Sequence, residues 1–175
     1  MQQGHSIVLN KTLKHFLSGD FKICKGAQTI LLETIESCLM QFLQTMQQIV
    51  PPQKKVRPDC IFTVSNLLCL ESNILERAVA KFESGSKLEL QRLRAIYLRT
   101  KQTLKKNQIS QNTIRVLTYV MDELATELML TACRFTTKEK QSIISEKDMQ
   151  RAIMKISSVY VLTKGRNVNK ENFTF

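Results

Sequence analysis

Gln111–Thr136 reads QNTIRVLTYVMDELATELMLTACRFT. Its apolar residues Ile114, Leu117, Met121, Leu124, Leu128 and Phe135 recur in helical steps, and Val116, Val120 and Leu130 widen the stripe. That period predicts one long amphipathic helix. Its 26 residues would rise about 39 Å at 1.5 Å per residue. A small domain can hold such a helix only if shorter helices cross it or another long segment lies along it.

Shorter helices flank it. Leu88–Leu104 is amphipathic through Leu90, Leu93, Ile96, Tyr97 and Leu104, and the polar link Lys105-Lys106-Asn107-Gln108 separates it from the long helix. After the polar link Thr137–Ser142 comes Ile143-Ile144, then Ser145-Glu146-Lys147-Asp148. Ser145 is a good N-cap, with Asp148 in the box position three residues on. The helix it starts runs through Ile156, with Met149, Ala152, Ile153 and Ile156 inside. The first half repeats the plan. A short helix is expected at Ile7–Leu17, broken by Ser18-Gly19-Asp20. A long one follows from Ala27 to Ile49, carrying Leu31, Ile35, Leu39, Phe42, Leu43 and Met46. Pro51-Pro52 stops it, because neither residue offers an N–H and the second forces the first out of the α region. A third helix is expected from Thr63, as cap, through Leu70. Matching Ile61-Phe62-Thr63 to Ile143-Ile144-Ser145 sets the repeat at 82 residues, laying Ile35 on Leu117, Leu39 on Met121 and Met46 on Leu128.

The chain is therefore expected to be all-α, with two tandem short–long–short helix triples. One such unit alone has little core. Two units clasped along their long helices would bury both stripes, with Ile35, Leu39, Leu43 and Met46 facing Leu117, Met121, Leu124 and Leu128. The expected divisions are a first unit at 1–71, a connecting helix and hinge at 72–87, a second unit at 88–156 and a C-terminal helix or tail at 157–175. Within the connection, Ile74, Leu75, Ala78, Val79 and Phe82 suggest a short helix, and Glu83-Ser84-Gly85-Ser86 a flexible hinge.

Charge narrows the function. The 175 residues carry 26 Lys plus Arg against 15 Asp plus Glu, a net +11. Residues 1–86 hold nine basic and seven acidic residues, whereas 87–175 hold seventeen and eight. Such an excess favours polyanionic partners, nucleic acid first. No segment is apolar enough to span a membrane, and Met1–Asn10 lacks a secretory pattern. The five Cys have no CxxC spacing and only His5 and His15 accompany them. A zinc site or disulfide framework is not expected, and Cys69 and Cys133 read as small buried residues.

The helix triple with basic loops resembles the histone fold. Ile109-Ser110 opening the long helix, Arg134 near its end, and Lys140-Gln141-Ser142-Ile143-Ile144-Ser145 make the second half similar to histone 2B. Leu17-Ser18-Gly19-Asp20-Phe21, Lys25-Gly26-Ala27 and Lys54-Lys55-Val56-Arg57 make the first half resemble histone 2A. Two partner histones in one chain resemble the histone doublets of large DNA viruses. The resemblance implies an intramolecular histone-pair clasp and an architectural protein that binds and wraps double-stranded DNA. It further implies a histone 3/histone 4-type partner pair or doublet, and a place in the nucleus or, if viral, in the virion and on viral DNA in the infected cell. The acidic patch of histone 2A is missing, its expected positions reading Cys38, Leu43, Met46, Ser72, Asn73 and Ile74, and Gln141 replaces the loop arginine of histone 2B.

Phosphates suit helix N-termini and loop cations. The candidate DNA contacts are Lys11 and Lys14 on the first short helix, Lys22 and Lys25 before the long one, and Lys54, Lys55 and Arg57 after it. The second unit offers Lys105, Lys106 and Ser110 before its long helix, and Arg134, Lys138, Lys140 and Ser142 after it. Arg57 is the residue proposed for a minor groove. Arg92, Arg94, Arg99 and Lys101 read as a solvated face, or a bearing surface for DNA of low specificity. Asp122, Glu123 and Glu127 read as solvated, or as partners of Arg115 and nearby bases.

No Gly-rich phosphate loop, HExxH or GxSxG occurs, so no catalytic residue, cofactor, metal or small-molecule substrate is expected. Two other readings compete with the DNA packager. One is a histone-fold subunit of a transcription-regulatory complex, and the other a helical interaction protein whose basic charge is incidental.

Overall fold

The protein is described from a computed structural model over residues 22–88 and 90–156, together with Val159 and Thr163. The expected helix Ile7–Leu17 lies outside the described residues. Within them the protein is helical, with two short strand pairs. A strand β1 (Lys22–Ile23) leads into helix α1 (Lys25–Ile49), strand β2 (Lys55–Val56) and helix α2 (Pro58–Leu67). Helix α3 (Ser72–Glu83) connects to α4 (Leu90–Thr103). Strand β3 (Gln108–Ile109), α5 (Gln111–Lys138), β4 (Ile143–Ile144) and α6 (Glu146–Lys155) complete the order.

The axis of the molecule is α5. Its 28 residues extend roughly 42 Å, and α1, α2, α3, α4 and α6 all pack on it. Ser110 starts it, accepting a bond from the Thr113 N–H at 3.1 Å. Ile35, Leu39, Leu43, Met46, Leu117, Met121, Leu124 and Leu128 are all buried, and α1 contacts α5.

The strand pairs are parallel. Lys22 and Ile23 pair with Ile143 and Ile144, and Lys55 and Val56 pair with Gln108 and Ile109. The start of α1 thus lies by the end of α5, and the end of α1 by the start of α5.

The repeat differs from the expected one. Pro58, not Thr63, opens α2, with Arg57 as N-cap. Proline suits a first helical position because its fixed φ is helical and its missing N–H has no partner there. The Thr63 hydroxyl instead donates back to the Asp59 carbonyl at 3.1 Å, inside the helix. The helix also stops short of Leu70. Cys69 takes a left-handed φ of 51°, and the N–H groups of Cys69 and Leu70 close back onto the carbonyls of Asn66 and Ser65, a Schellman end. The two halves therefore repeat at 86 residues for β1 and β3 (Lys22 to Gln108) and at 88 for β2 and β4 (Lys55 to Ile143), rather than at 82.

The segment expected as a hinge is a closed turn. Glu83 belongs to α3. Gly85 takes φ 66°, which glycine adopts without steric cost. The N–H groups of Gly85 and Ser86 return to Phe82 and Lys81, and the buried Tyr119 hydroxyl donates to the Ser86 carbonyl.

Several polar residues expected on the surface are inside. Glu123 is 2% exposed. Arg77 Nε meets its Oε2 at 2.8 Å, Lys81 meets its Oε1, and Arg77 Nη2 meets Glu127 Oε2 at 2.9 Å. These ion pairs and the buried Ile74 and Ala78 fix α3 on α5. Asp122 is buried against Arg92, itself 4% exposed, while Leu90 and Tyr97 of the expected α4 stripe are exposed. Arg99 is half-buried and paired with Glu36 at 3.0 Å. Arg115 lies over the Phe82 ring, not beside the acidic residues. Neighbouring helices cover most of α5, so its carboxylates take cations from α3 and α4. The thiols divide too. Cys38 is buried, and burial pushes its thiol up to about 12, whereas Cys69 is exposed.

The expected capping box is present at α6. Fully buried Asp148 accepts from the Ser145 N–H (3.0 Å), the Ser145 hydroxyl (2.8 Å) and the Thr136 hydroxyl (3.2 Å). Burial pushes its pKa up, but these bonds and the Arg151 charge outweigh burial and hold it below the usual carboxylate value. A lowered pKa stabilises the fold above the unfolded value of about 3.9, and that stability is lost as pH falls from there through the lower folded value. Asp148→Asn is therefore expected to lower stability at neutral pH by about 1.5–3 kcal/mol. The deficit should shrink in urea melts taken at acid pH.

Candidate nucleic-acid interface

Each strand pair joins two loops, and each loop pair carries cations. At the first end, β1 and β4 bring Lys22 and Lys25 together with Lys140 and Ser142. The Lys22 N–H donates to the Ser142 carbonyl at 3.0 Å, and the Cys24 N–H to the Ile144 carbonyl at 3.0 Å. Lys22, Lys25, Lys138, Lys140 and Ser142 are exposed. Lys140 sits at the left-handed residue that closes α5, with φ 56°. At the second end, β2 and β3 gather Lys54, Lys55, Arg57, Lys105 and Lys106, all exposed. Arg57 makes no side-chain capping bond, which leaves its guanidinium free to point outward.

Pairing divides the cations, though not by element, since Arg94, Lys101, Lys147 and Lys155 on the helices are exposed and have no carboxylate partner among the described residues either. Arg77, Lys81, Arg92, Arg99 and Arg151 all have carboxylate partners. Lys22, Lys25, Lys54, Lys55, Arg57, Lys105, Lys106, Lys138 and Lys140 have none among the described residues. Among the described residues no carboxylate neutralises their charge. The two ends are separated by about the length of α5, roughly 40 Å.

Not every expected contact joins these ends. Lys11 and Lys14 lie outside the described residues. The Ser110 hydroxyl is half-buried and engaged with the Thr113 N–H and hydroxyl, so it serves as a cap rather than a phosphate donor. Arg134 is exposed but stands a turn before the loop. With Lys138 it borders a cleft of about 260 Å³ that Glu71, Glu127 and Lys155 also line.

Two residues that shape the ends carry no obvious sequence signal. Asn107 is 7% exposed and donates its side-chain amide to the carbonyls of Pro51 (2.8 Å) and Lys54 (2.9 Å). It resembles its polar neighbours in sequence, and its acceptors are more than 50 residues away. Glu146 reaches from α6 to the first turn of α1, so that any side chain at Gly26 would overlap its carboxylate.

Among the described residues no group of His, Cys, Asp and Glu could hold a metal ion, and no helix is long and apolar enough to cross a membrane. No family model matches this chain, and no significant match is found among curated proteins.

Proposed function

We propose that this chain is a fused histone pair that binds double-stranded DNA through its phosphates, without sequence preference, and bends or wraps it with a second histone pair. The observation that carries this reading is the set of unpaired, exposed cations gathered by the two strand-paired loop ends. The head-to-tail placement of a loop–long helix–loop–helix segment in the first half against a helix–loop–long helix–loop–helix segment in the second, each end shared between them, agrees with a histone-pair clasp in which 1–71 and 88–156 are the two units. Successive inward-facing minor grooves recur about every 10 base pairs, close to 35 Å along a duplex at about 3.4 Å per pair. Ends roughly 40 Å apart can meet two of them on a gently curved path.

The absent acidic patch has a structural counterpart. Cys38, Leu43, Met46 and Ile74, four of the positions assigned to it, are core residues and could not present a surface charge. A partner that reads such a patch is not part of this proposal. The partner we propose is a histone 3/histone 4-type pair, and the site of action is nuclear or viral chromatin.

The test is affinity for two unrelated duplexes across a salt series. The expected result is equal affinity on both and a steep linear fall with log salt, at a slope of about 0.9 per phosphate neutralised. Several contacts predict a slope of at least about 4 on that scale. Binding that depends on sequence and resists salt would point instead to a histone-fold subunit of a regulatory complex. No binding at low salt would overturn the proposal.

A further inference from the structure

The two cationic ends are not equivalent. Their cation content is similar, but their carboxylates differ. The segments that form the first end, 22–27 and 134–148, contain Glu139, Glu146 and Asp148. The segments that form the second, 50–59 and 101–113, contain only Asp59. Glu139 is engaged with Arg151, and Asp148 is spent in the α6 cap. Glu146 has a different placement. It is the first residue of α6, and its carboxylate lies over Gly26 in the first turn of α1. Two helix starts with positive dipole ends therefore converge on one carboxylate of the chain itself. Gly26 makes the approach possible, since any side chain there would occupy the same space.

The second end keeps its helix-start carboxylate one residue further in: α2 opens on Pro58, and Asp59 is the acidic residue of its first turn. The first turn of α5 contains no acidic residue. The loops of this end are also tied more firmly. The Ser110 N–H to Val56 carbonyl bond (3.1 Å) has its match in Cys24 and Ile144 at the first end, but here the Gln53 N–H also donates to the Lys106 carbonyl at 2.9 Å. The Thr113 hydroxyl donates to the same Val56 carbonyl at 2.9 Å. Asn107 bridges Pro51 and Lys54. Lys54, Lys55, Lys105 and Lys106 thus project from backbone that is already fixed, and a phosphate that meets them orders little. At the first end a phosphate approaching Lys22, Lys25 and Lys140 meets the Glu146 carboxylate as well.

We propose that the Lys54/Lys55/Arg57/Lys105/Lys106 end is the principal phosphate-binding end of the chain, and that the Glu146 carboxylate, seated on the first turn of α1, weakens the opposite end. This rests on the DNA-binding reading above. It makes the chain a polar clamp: the second end engages a duplex first, and the first end closes on it against its own negative charge. A partner that drew Glu146 away, by supplying a cation, would tighten the first end.

The test compares two variants that remove equal charge from full-length protein. One is Lys54→Gln, Lys55→Gln, Lys105→Gln and Lys106→Gln together, and the other Lys22→Gln, Lys25→Gln, Lys138→Gln and Lys140→Gln together. All these side chains are exposed, and circular dichroism with thermal melting checks that each variant folds. The readout is the salt slope on a short random-sequence duplex. The first variant is expected to lower the slope by about 3 to 4, that is, about 0.9 per contact removed, and the second by less than half as much. Glu146→Gln is expected to raise affinity about two- to fivefold, the range of a charge acting at a helix start. In that background the second variant should cost about one more unit of slope. Equal slope losses from the two variants, or unchanged affinity in Glu146→Gln, would overturn the inference while leaving DNA binding intact. If neither variant altered affinity, the DNA-binding reading would fail along with it.

Discussion

Residues 1–85 and 86–175, produced separately, are each expected to lack a cooperative unfolding transition, and to regain one when mixed. The reason is where each half finds its partners. In the first half, α1 buries Leu31, Ile35, Leu39, Phe42, Leu43 and Met46 along one stripe, and it packs against α4, α5 and α6, all from the second half. Connecting helix α3 belongs covalently to the first half but lies on α5, held by Ile74, Ala78 and the Arg77 and Lys81 ion pairs. Both strand pairs join one half to the other. Each large apolar side chain returned to water forfeits about 1.5–3 kcal/mol. Losing several at once exceeds the whole stability of an ordinary domain, about 5–15 kcal/mol.

Circular dichroism checks this directly. The helical signal of the mixture should exceed the sum of the separate halves, and a urea transition should appear only in the mixture. Proteolysis of the intact protein at Gly85 should leave two fragments that co-elute on a sizing column. A sharp urea transition in either half alone would overturn the clasp, because it would mean that one unit holds a sufficient core of its own.

How much of this was legible in the chain depends on the range of the interaction. The long helices followed from their apolar stripes, and the stop at Pro51-Pro52 and the Ser145 capping box followed from residues within a few positions of each other. These are local rules, and local residues state them. The start of α2 was misplaced because a proline at the first helical position competed with a threonine that also looked like a cap. Only the backbone decides between them. Asn107 and Glu146 were not legible at all, since Asn107 binds the carbonyls of Pro51 and Lys54 and Glu146 lies against Gly26, all far away in sequence. The cationic loops were legible as composition. Their gathering into two ends became visible only with the strand pairs.

The buried acidic residues of α5 were missed for the same reason, and they lead to the second large effect. A helical period separates two faces, but it cannot reveal that the polar face is also covered. Arg92 and Asp122 are 30 positions apart and are 4% and 9% exposed, with the guanidinium on the carboxylate. Taking two charges out of water costs several kcal/mol per ion, offset only while the ions face each other. Arg92→Ala is therefore expected to destabilise the protein by about 3–5 kcal/mol, because it leaves Asp122 buried without its guanidinium. Asp122→Ala removes the carboxylate of the same pair and should also destabilise. The double variant should cost clearly less than the two single losses added, since the second change removes the charge stranded by the first. Urea unfolding of the four proteins measures the coupling. If the losses add, the pair acts through packing of the arginine stem rather than through charge, and α4 is held in place by its apolar side chains, Leu93 and Ile96 among them. If they couple, one buried ion pair ties the first helix of the second unit to the axis on which both loop ends depend. Its rupture should then weaken the proposed DNA binding without touching a single loop cation.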